Sequence, residues 1–441
     1  MSLKGIFIAL VFSCHLLFSQ QGFQFAENKN RVSLDFKFIN NLIIIPIEVN
    51  GTTLNFLLDT GVEDTILFSL DDTDELKLSQ IEKIQIQGLG NALPIEGFKS
   101  NNNCLKIKNY SDTNHTLYLV LDQDFNISSQ VGIPVNGIIG FRFFQNDIVK
   151  INYEKRKITI FKHNKDLKKI EKQYTKVPLE LINQKPYINA TVFLSSTDSL
   201  KTNLLIDTGN TDALWLFPEK MNHLSIPNLN YEDFLGRGFS GEVFGKRARI
   251  NSISIAKFNL KNALGAFPDP LISNESKIEA SRTGSVGSEI LKRFQMIYDY
   301  INGFCYIKPN DNFDDPFSFN MSGVEIQHQG LQWVPQSFEE NPVIANNLFD
   351  GNGEKVSNNL KYKFDLKPIY VITNVRKDSP ADLAGLQKND LIQKINNHNA
   401  YDFTLQQILE LLKSDKDKII DLEILRGQKE ISIKLPINNL L

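Results

Sequence analysis

The sequence predicts a mainly β protein built as two homologous β-lobes forming one bilobal unit, followed by a small α+β module. Three observations predict it. First, the chain repeats itself: residues 54–61 read LNFLLDTG and residues 202–209 read TNLLIDTG, which sets Asp59 and Asp207 148 positions apart. Second, the repeated stretches break into short β-branched or aromatic runs bounded by Gly, Asn and Asp, as strands do. Third, the composition changes after Pro309 to the acidic, Phe- and Pro-containing NDNFDDPFSFN, a candidate hinge into a third unit.

The first twenty residues read as a processing segment, with Lys4 at the positive end, an apolar stretch over 5–18 and a small-to-polar exit at Ser19-Gln20. Export to a periplasmic or secreted location, with cleavage and no stable membrane span afterwards, is the expectation. A retained anchor is the alternative, but the run is short against the roughly 20 residues a span needs. Lipid attachment at Cys14 is a third reading, and Val11-Phe12-Ser13 before it matches poorly.

The repeat sets the two lobes at 30–165 and 174–309. Gly88-Leu89-Gly90 and Gly97 correspond to Gly236-Arg237-Gly238 and Gly245 at the same offset of 148, and Gly137 and Gly140 correspond to Gly284 and Gly287 at 147. The runs Leu42–Val49, Ile81–Ile86, 118–121, 149–153 and 158–161 are its predicted strands. Between the lobes, KHNKDLKKIEKQYTK reads as an exposed connector or short helix. The third unit is placed at 321–437, with a polar Asn-, Glu- and Gly-rich insertion at about 336–360. It contains a strand over 369–375, a turn at Asp378-Ser379-Pro380, a short helix ADLAG, a helix over Leu405–Leu412 and a hairpin of 419–425 with 431–435.

Composition removes several function classes. Lys plus Arg (48) nearly balances Asp plus Glu (51), a formal net charge of -3, without the basic footprint of a nucleic-acid binder. Six histidines and three cysteines are scattered, with no metal-ligand spacing, so neither a metal site nor a cofactor is expected. Cys104 and Cys305 remain after signal removal, and spacing alone leaves their pairing open.

The chemistry lies in the duplicated Asp-Thr-Gly. Hydrolysis of an amide without metal or nucleophile needs one carboxylate to take a proton from water and a second acid to protonate the carbonyl oxygen. Two carboxyls about 3 Å apart cannot both ionise, so they share a proton and one becomes base while the other stays acid. The apolar runs before Asp59 and Asp207 seat each on a buried strand end, and Gly61 and Gly209 let backbone N–H groups approach the carboxylates. Thr60 and Thr208 are placed to hydrogen-bond across the two loops. The glycine-bearing segments around Gly88, Leu89 and Gly90 and around Gly236, Arg237 and Gly238 suit hairpins that close over an extended peptide.

With these residues the chain resembles the retropepsin-like aspartic peptidases, specifically the bacterial single-chain type with two lobes and a C-terminal PDZ domain. The later elements Ile138-Ile139-Gly140 and Ser285-Val286-Gly287 belong to that resemblance. It implies Asp59 and Asp207 as the catalytic pair, the two glycine segments as flaps, polypeptide substrates and no cofactor. Val62 and Asn210 depart from the small residue common after D-T-G, which makes the two loops chemically unequal. The tail resembles a PDZ domain through Asp378-Ser379-Pro380-Ala381, Ala384-Gly385-Leu386 and Asn389-Asp390-Leu391-Ile392. This implies a peptide ligand bound as an added strand, with Ile369, Tyr370, Val371 and Ile372 and the helix Leu405–Leu412 as its groove. Lys367-Pro368 before that run supplies no carboxylate-binding glycine. The competing reading is a catalytically inactive peptide-binding or chaperone-like scaffold of the same fold, and sequence does not show whether the two carboxylates meet.

Overall fold

In the computed structural model the described residues are 22–68, 76–86, 95–120, 127–162, 167–221, 224–238, 241–269, 279–338, 361–413 and 418–437. The segment read as a signal lies outside them. No described helix is long and apolar enough to cross a membrane.

Each lobe is built around the same four strands. In the first, Leu42–Val49 runs antiparallel to Thr52–Leu58, which pairs parallel with Gly137–Ile139, which in turn pairs antiparallel with Thr65–Leu67. In the second, Lys185–Phe193, Ser199–Asp207, Gly284–Gly287 and Leu214–Leu216 repeat that order and sense. Asn50 and Gly51, both at positive φ, form the two-residue turn between Leu42–Val49 and Thr52–Leu58, the tight hairpin link that matches strand twist. Leu42–Val49 is buried at nearly every position, as a strand covered on both faces must be.

A six-stranded sheet joins the lobes, three strands from each. Ile148–Asn152 and Phe294–Asp299 meet antiparallel at its centre, with Val149 opposite Tyr298 and Ile151 opposite Met296. Phe144, Tyr298 and Tyr300 pack edge-on and stacked there at 5.2 to 6.2 Å, and one continuous apolar core runs through both lobes. The first lobe begins earlier than residue 30: Gln24–Phe25 pairs with Tyr110–Val120, and fully buried Phe23 stacks on Tyr110 at 5.2 Å. The lysine-rich connector contains the helix Leu167–Gln173.

The stretch read as a hinge is organised around a buried cation. Arg293, fully buried, donates to the carbonyls of Asn312 (3.2 Å), Phe313 (3.4 Å), Asp315 and Pro316 (3.2 Å), pairs with the Glu289 carboxylate at 3.1 Å and stacks on Phe317 at 3.7 Å. A guanidinium's forked donors satisfy several carbonyls at once, so an acidic, turn-rich segment without regular structure still has one conformation. Phe317 belongs to the lobe core, whereas Phe319 and Met321 belong to the next.

That next unit is a sheet in the order Val324–Phe338, Lys361–Val375, Leu391–Ile395, Lys418–Arg426, Lys429–Ile437, with His398–Asn399 beside Leu391–Ile395. The helix Leu405–Leu412 covers it, started by a capping box in which the Thr404 hydroxyl and the Gln407 side chain satisfy each other's backbone N–H groups. The first two strands are longer than expected. Phe338 still pairs with Lys361, so 336–338 is strand, and residues 339–360 of the insertion lie outside the described residues.

Truncating Arg293 to Ala strips a partner from four carbonyls and leaves Glu289 with Lys292 and Asn41 alone. The expected loss is about 3–5 kcal/mol of unfolding free energy in urea titration, and Arg293→Lys, with a point charge in place of a fork, recovers less than half of it.

Candidate active site

Asp59 and Asp207 end equivalent strands and meet where the lobes join. Their loops are tied by a symmetric exchange between threonines. The Thr60 hydroxyl donates to the Ile206 carbonyl (2.6 Å) and accepts from the Thr208 N–H (3.1 Å); the Thr208 hydroxyl donates to the Leu58 carbonyl (2.7 Å) and accepts from the Thr60 N–H (3.0 Å). Both threonines are buried, so every one of these polar groups has a partner in the opposite lobe. The Gly61 N–H donates to Asp59 Oδ1 at 2.7 Å. A Cβ on Gly61 would lie 3.1 Å from Asp59 Oδ1 and 3.2 Å from Asp207 Oδ1, and one on Gly209 would lie 2.2 Å from Asp59 Oδ2. Both positions therefore require glycine for close approach, and the same distances show that the two carboxyls share one small space.

The carboxyls are hydrogen-bonded to each other and titrate as a pair. Burial first, then the charge of Asp207, pushes Asp59 up to about 7. Asp207 is also raised by burial, but a guanidinium, two backbone N–H groups from Gly209 and Asn210, and the hydrogen bond from Asp59 all favour its charged form. The loops are thus unequal in the way Asn210 and Val62 suggested: the pair shares its proton, and the surroundings of Asp207 favour its charged form.

That guanidinium belongs to Arg282, which sequence reasoning passed over. Its Nε donates to the Gly284 carbonyl (3.3 Å), its Nη2 to the Ser285 hydroxyl (2.5 Å), and its plane lies 5.3 Å from the Phe217 ring. The repeat was the signal that could have found it, because the offset of 147 sets Arg282 against Val135.

The carbonyl of Ile139 accepts from the Asp59 N–H (2.9 Å), and the Ser288 hydroxyl donates to the Thr208 carbonyl (3.1 Å), so the elements after Ile138 and Ser285 brace the loops from below. Gly236, Arg237 and Gly238 lie in the hairpin of Asn230–Gly238 and Gly241–Arg249, with open space around Gly236. Gly88, Leu89 and Gly90 fall outside the described residues; the strands Ile81–Ile86 and Ile95–Ile107 that flank them pair up to Ile86 and Ile95. The base of the second hairpin is tied to the catalytic loop. Arg247 pairs with Asp212 (2.8 Å), five residues after Asp207, and with Asp233 (2.6 Å), which also pairs with Arg376 of the third unit (3.1 Å).

The predicted PDZ groove is displaced. Ile369, Tyr370, Val371 and Ile372 lie in an interior strand: Tyr370 faces His328 on one side and Ile392 on the other, so no peptide can be added there. The sequence run was assigned to the groove by its position in the PDZ resemblance, and no strand was expected at Val324–Phe338, whose apolar pattern is interrupted by Gln, His and Pro. That strand is the sheet's outer strand and lies beside the helix Leu405–Leu412. The first-lobe helix Ile127–Val131 packs against it, with Ser129 Oγ 3.5 Å from Gln327 Oε1.

Cys104 and Cys305 are both free thiols, and burial pushes Cys305 up to about 12. Among the described residues no group of three or more His, Cys, Asp or Glu side chains is placed to hold a metal ion.

Comparison with known proteins agrees with this geometry. Residues 45–143 match the aspartyl protease family and residues 371–426 match the PDZ domain. Among curated proteins, a "Probable CtpA-like serine protease" of Staphylococcus epidermidis is 34% identical over 64 residues, 14% of this chain and 13% of that protein. One of Staphylococcus haemolyticus is 34% identical over 65 residues, 15% of this chain and 13% of its own. The chain spans about 13% of the length of these relatives. Among solved structures, an aspartic proteinase from Irpex lacteus is 14% identical, with a TM-score of 0.41 over 65% of this chain and 98% of that one. The chain combines a retropepsin-like aspartyl-protease unit with a C-terminal PDZ domain.

Two outcomes check the site. Thr208→Ala leaves the Leu58 carbonyl and the Thr60 N–H without partners and costs about 3 kcal/mol in denaturant unfolding, whereas Thr208→Ser keeps the hydroxyl and costs about 1 kcal/mol. Because Asp59 is raised from 3.8 to about 7, its contribution to stability is present below pH 4 and lost as pH rises through 7. Asp59→Asn therefore melts at least about 2–4 °C above the wild type at pH 8 and level with it at pH 4.

Proposed function

We propose that the protein is an exported aspartic endopeptidase, with Asp59 and Asp207 as its catalytic pair. The observation that carries this reading is the half-buried pair of carboxyls in one small space, in which burial and the charge of Asp207 raise Asp59 to about 7, supported by the threonine exchange that ties their loops. Between its two titration steps the pair holds one proton. A water between them loses a proton to the Asp207 carboxylate as its oxygen attacks the scissile carbonyl carbon, while Asp59 gives its proton to the carbonyl oxygen. The tetrahedral diol that results collapses when one hydroxyl returns its proton to Asp59 and Asp207 passes its proton to the leaving nitrogen, which breaks the C–N bond and restores the pair. Asp207 is suited to the base role because Arg282, Gly209 and Asn210 hold it charged.

The hairpin of Asn230–Gly238 and Gly241–Arg249 holds an extended substrate against the pair. The PDZ domain contributes polypeptide binding, and its outer strand is Val324–Phe338. Polypeptides are the substrates, and the segment before residue 21 directs the chain to a periplasmic or secreted location.

The test compares the wild type with Asp207→Asn on a peptide library from pH 4 to 8. The wild type cleaves, with kcat/KM falling as pH rises through about 7, and Asp207→Asn loses at least about 1000-fold in kcat. Equal turnover by both sinks the mechanism. Turnover by neither, with peptide still bound, transfers support to the scaffold.

A further inference from the structure

The two halves of the cleft are related by the internal repeat, so equivalent residues can be read off the strand registers. Leu57 pairs with Ile44 and Ile138; its equivalent Leu205 pairs with Tyr187 and Ser285. Gly137 and Gly284 occupy the same register, which makes Val135 the equivalent of Arg282, and Phe68 and Phe217 both donate their N–H to the residue between, Asn136 and Thr283. Three apolar residues of the first lobe, Ile44, Val135 and Ile138, are thus Tyr187, Arg282 and Ser285 in the second. In the first lobe those positions form an apolar cluster capped by Ile127 and Val131, with Val62, Phe68 and Ile133 partly exposed at its fringe. In the second lobe the same place holds a cation.

Arg282 is half-buried and makes no ion pair among the described residues. Its hydrogen bonds go to one carbonyl and one hydroxyl, which leaves three of a guanidinium's five N–H groups without an acceptor among the described residues. Its field reaches Asp207, Asp59 and Tyr187, which places it at the carboxyl pair. A guanidinium kept there unpaired is matched by a carboxylate that arrives with the ligand, since charge-assisted, forked hydrogen bonding is the strongest contact it can make.

We propose that Arg282 is a specificity-determining residue that binds an acidic side chain, Asp or Glu, of the substrate on the second-lobe side of the scissile bond, a contact that the first lobe, with Val135 at the equivalent position, does not offer. This inference rests on the peptidase reading and names its substrate class. An extended peptide whose scissile bond lies over Asp59 and Asp207 presents one flank to each lobe, so the chemical difference between the lobes becomes a directional preference along the chain.

The experiment uses the full chain and a set of peptides with Leu on one side of the cleavage site and Glu, Gln or Lys on the other, in both orders. The wild type prefers Glu to Gln by about 10-fold or more in kcat/KM, in one order only. Arg282→Gln brings that ratio to near unity, Arg282→Glu inverts it towards Lys, and Arg282→Lys keeps a weakened preference for Glu. A Glu-to-Gln ratio unchanged in Arg282→Gln, or absent in the wild type, overturns the inference. Calorimetric binding of reduced-amide Glu and Gln peptides, which are not cleaved, separates the two readings. Without cleavage the peptidase reading fails, yet the binding ratio of wild type to Arg282→Gln still decides whether Arg282 selects the acid.

Discussion

Two threonine hydroxyls hold the molecule's centre. Thr60 and Thr208 each donate to a carbonyl one residue before the opposite aspartate and accept from the opposite threonine's N–H, so the strand ends that bear Asp59 and Asp207 cannot separate without stranding four buried polar groups. Two carboxyls forced into one space repel when both are charged. The exchange is what opposes that repulsion. Its cost appears as the rise of Asp59 to about 7, and the six-stranded sheet beneath spreads the load over the continuous core of both lobes.

Duplication explains the architecture, and departures from it explain the chemistry. A perfect twofold would make the aspartates equivalent and leave the proton undecided. Here Asn210 and Arg282 break the symmetry on the same side, both favouring a charged Asp207. The same substitution pattern, Ile44 to Tyr187, Val135 to Arg282 and Ile138 to Ser285, turns an apolar wall into a polar one. One set of changes therefore makes both the two carboxyls and the two lobes chemically unequal.

Much of this was legible in the residues. Short β-branched runs gave strands such as Leu42–Val49 and Ile81–Ile86 with their observed bounds, because local alternation and turn chemistry decide them. The carboxyl pair was legible because the motif recurs in register. What was not legible depends on contacts far apart in sequence. Arg293 turns an apparent hinge into an ordered segment through carbonyls about 20 residues away, which no local pattern signals. The PDZ edge was misplaced for a related reason: the apolar run Ile369, Tyr370, Val371 and Ile372 marks burial, and burial on both sides is the property of an interior strand, whereas an edge strand carries polar residues. Arg282 carries no signal in its local sequence, and its place follows only from the pairing of the strands on either side of it.

The PDZ domain is not an independent appendage to this site. Asp212 accepts hydrogen bonds from the Trp215 indole (2.7 Å) and from Arg247, while its own N–H donates to the Asn210 side chain (2.9 Å), so it stiffens the turn that carries Asp207. Arg247 and Asp233 lie on facing strands of the second hairpin, and Asp233 reaches Arg376, whose guanidinium lies 4.3 Å from the Tyr231 ring. All four charged side chains are largely buried, and removing Arg247 or Asp233 leaves Asp212 or Arg376 without its counterpart in a medium that solvates it poorly. Catalytic loop, flap base and PDZ domain therefore share a single electrostatic account. On the other face the first-lobe helix Ile127–Val131 lies against the PDZ outer strand, and that helix also caps the apolar cluster opposite Arg282.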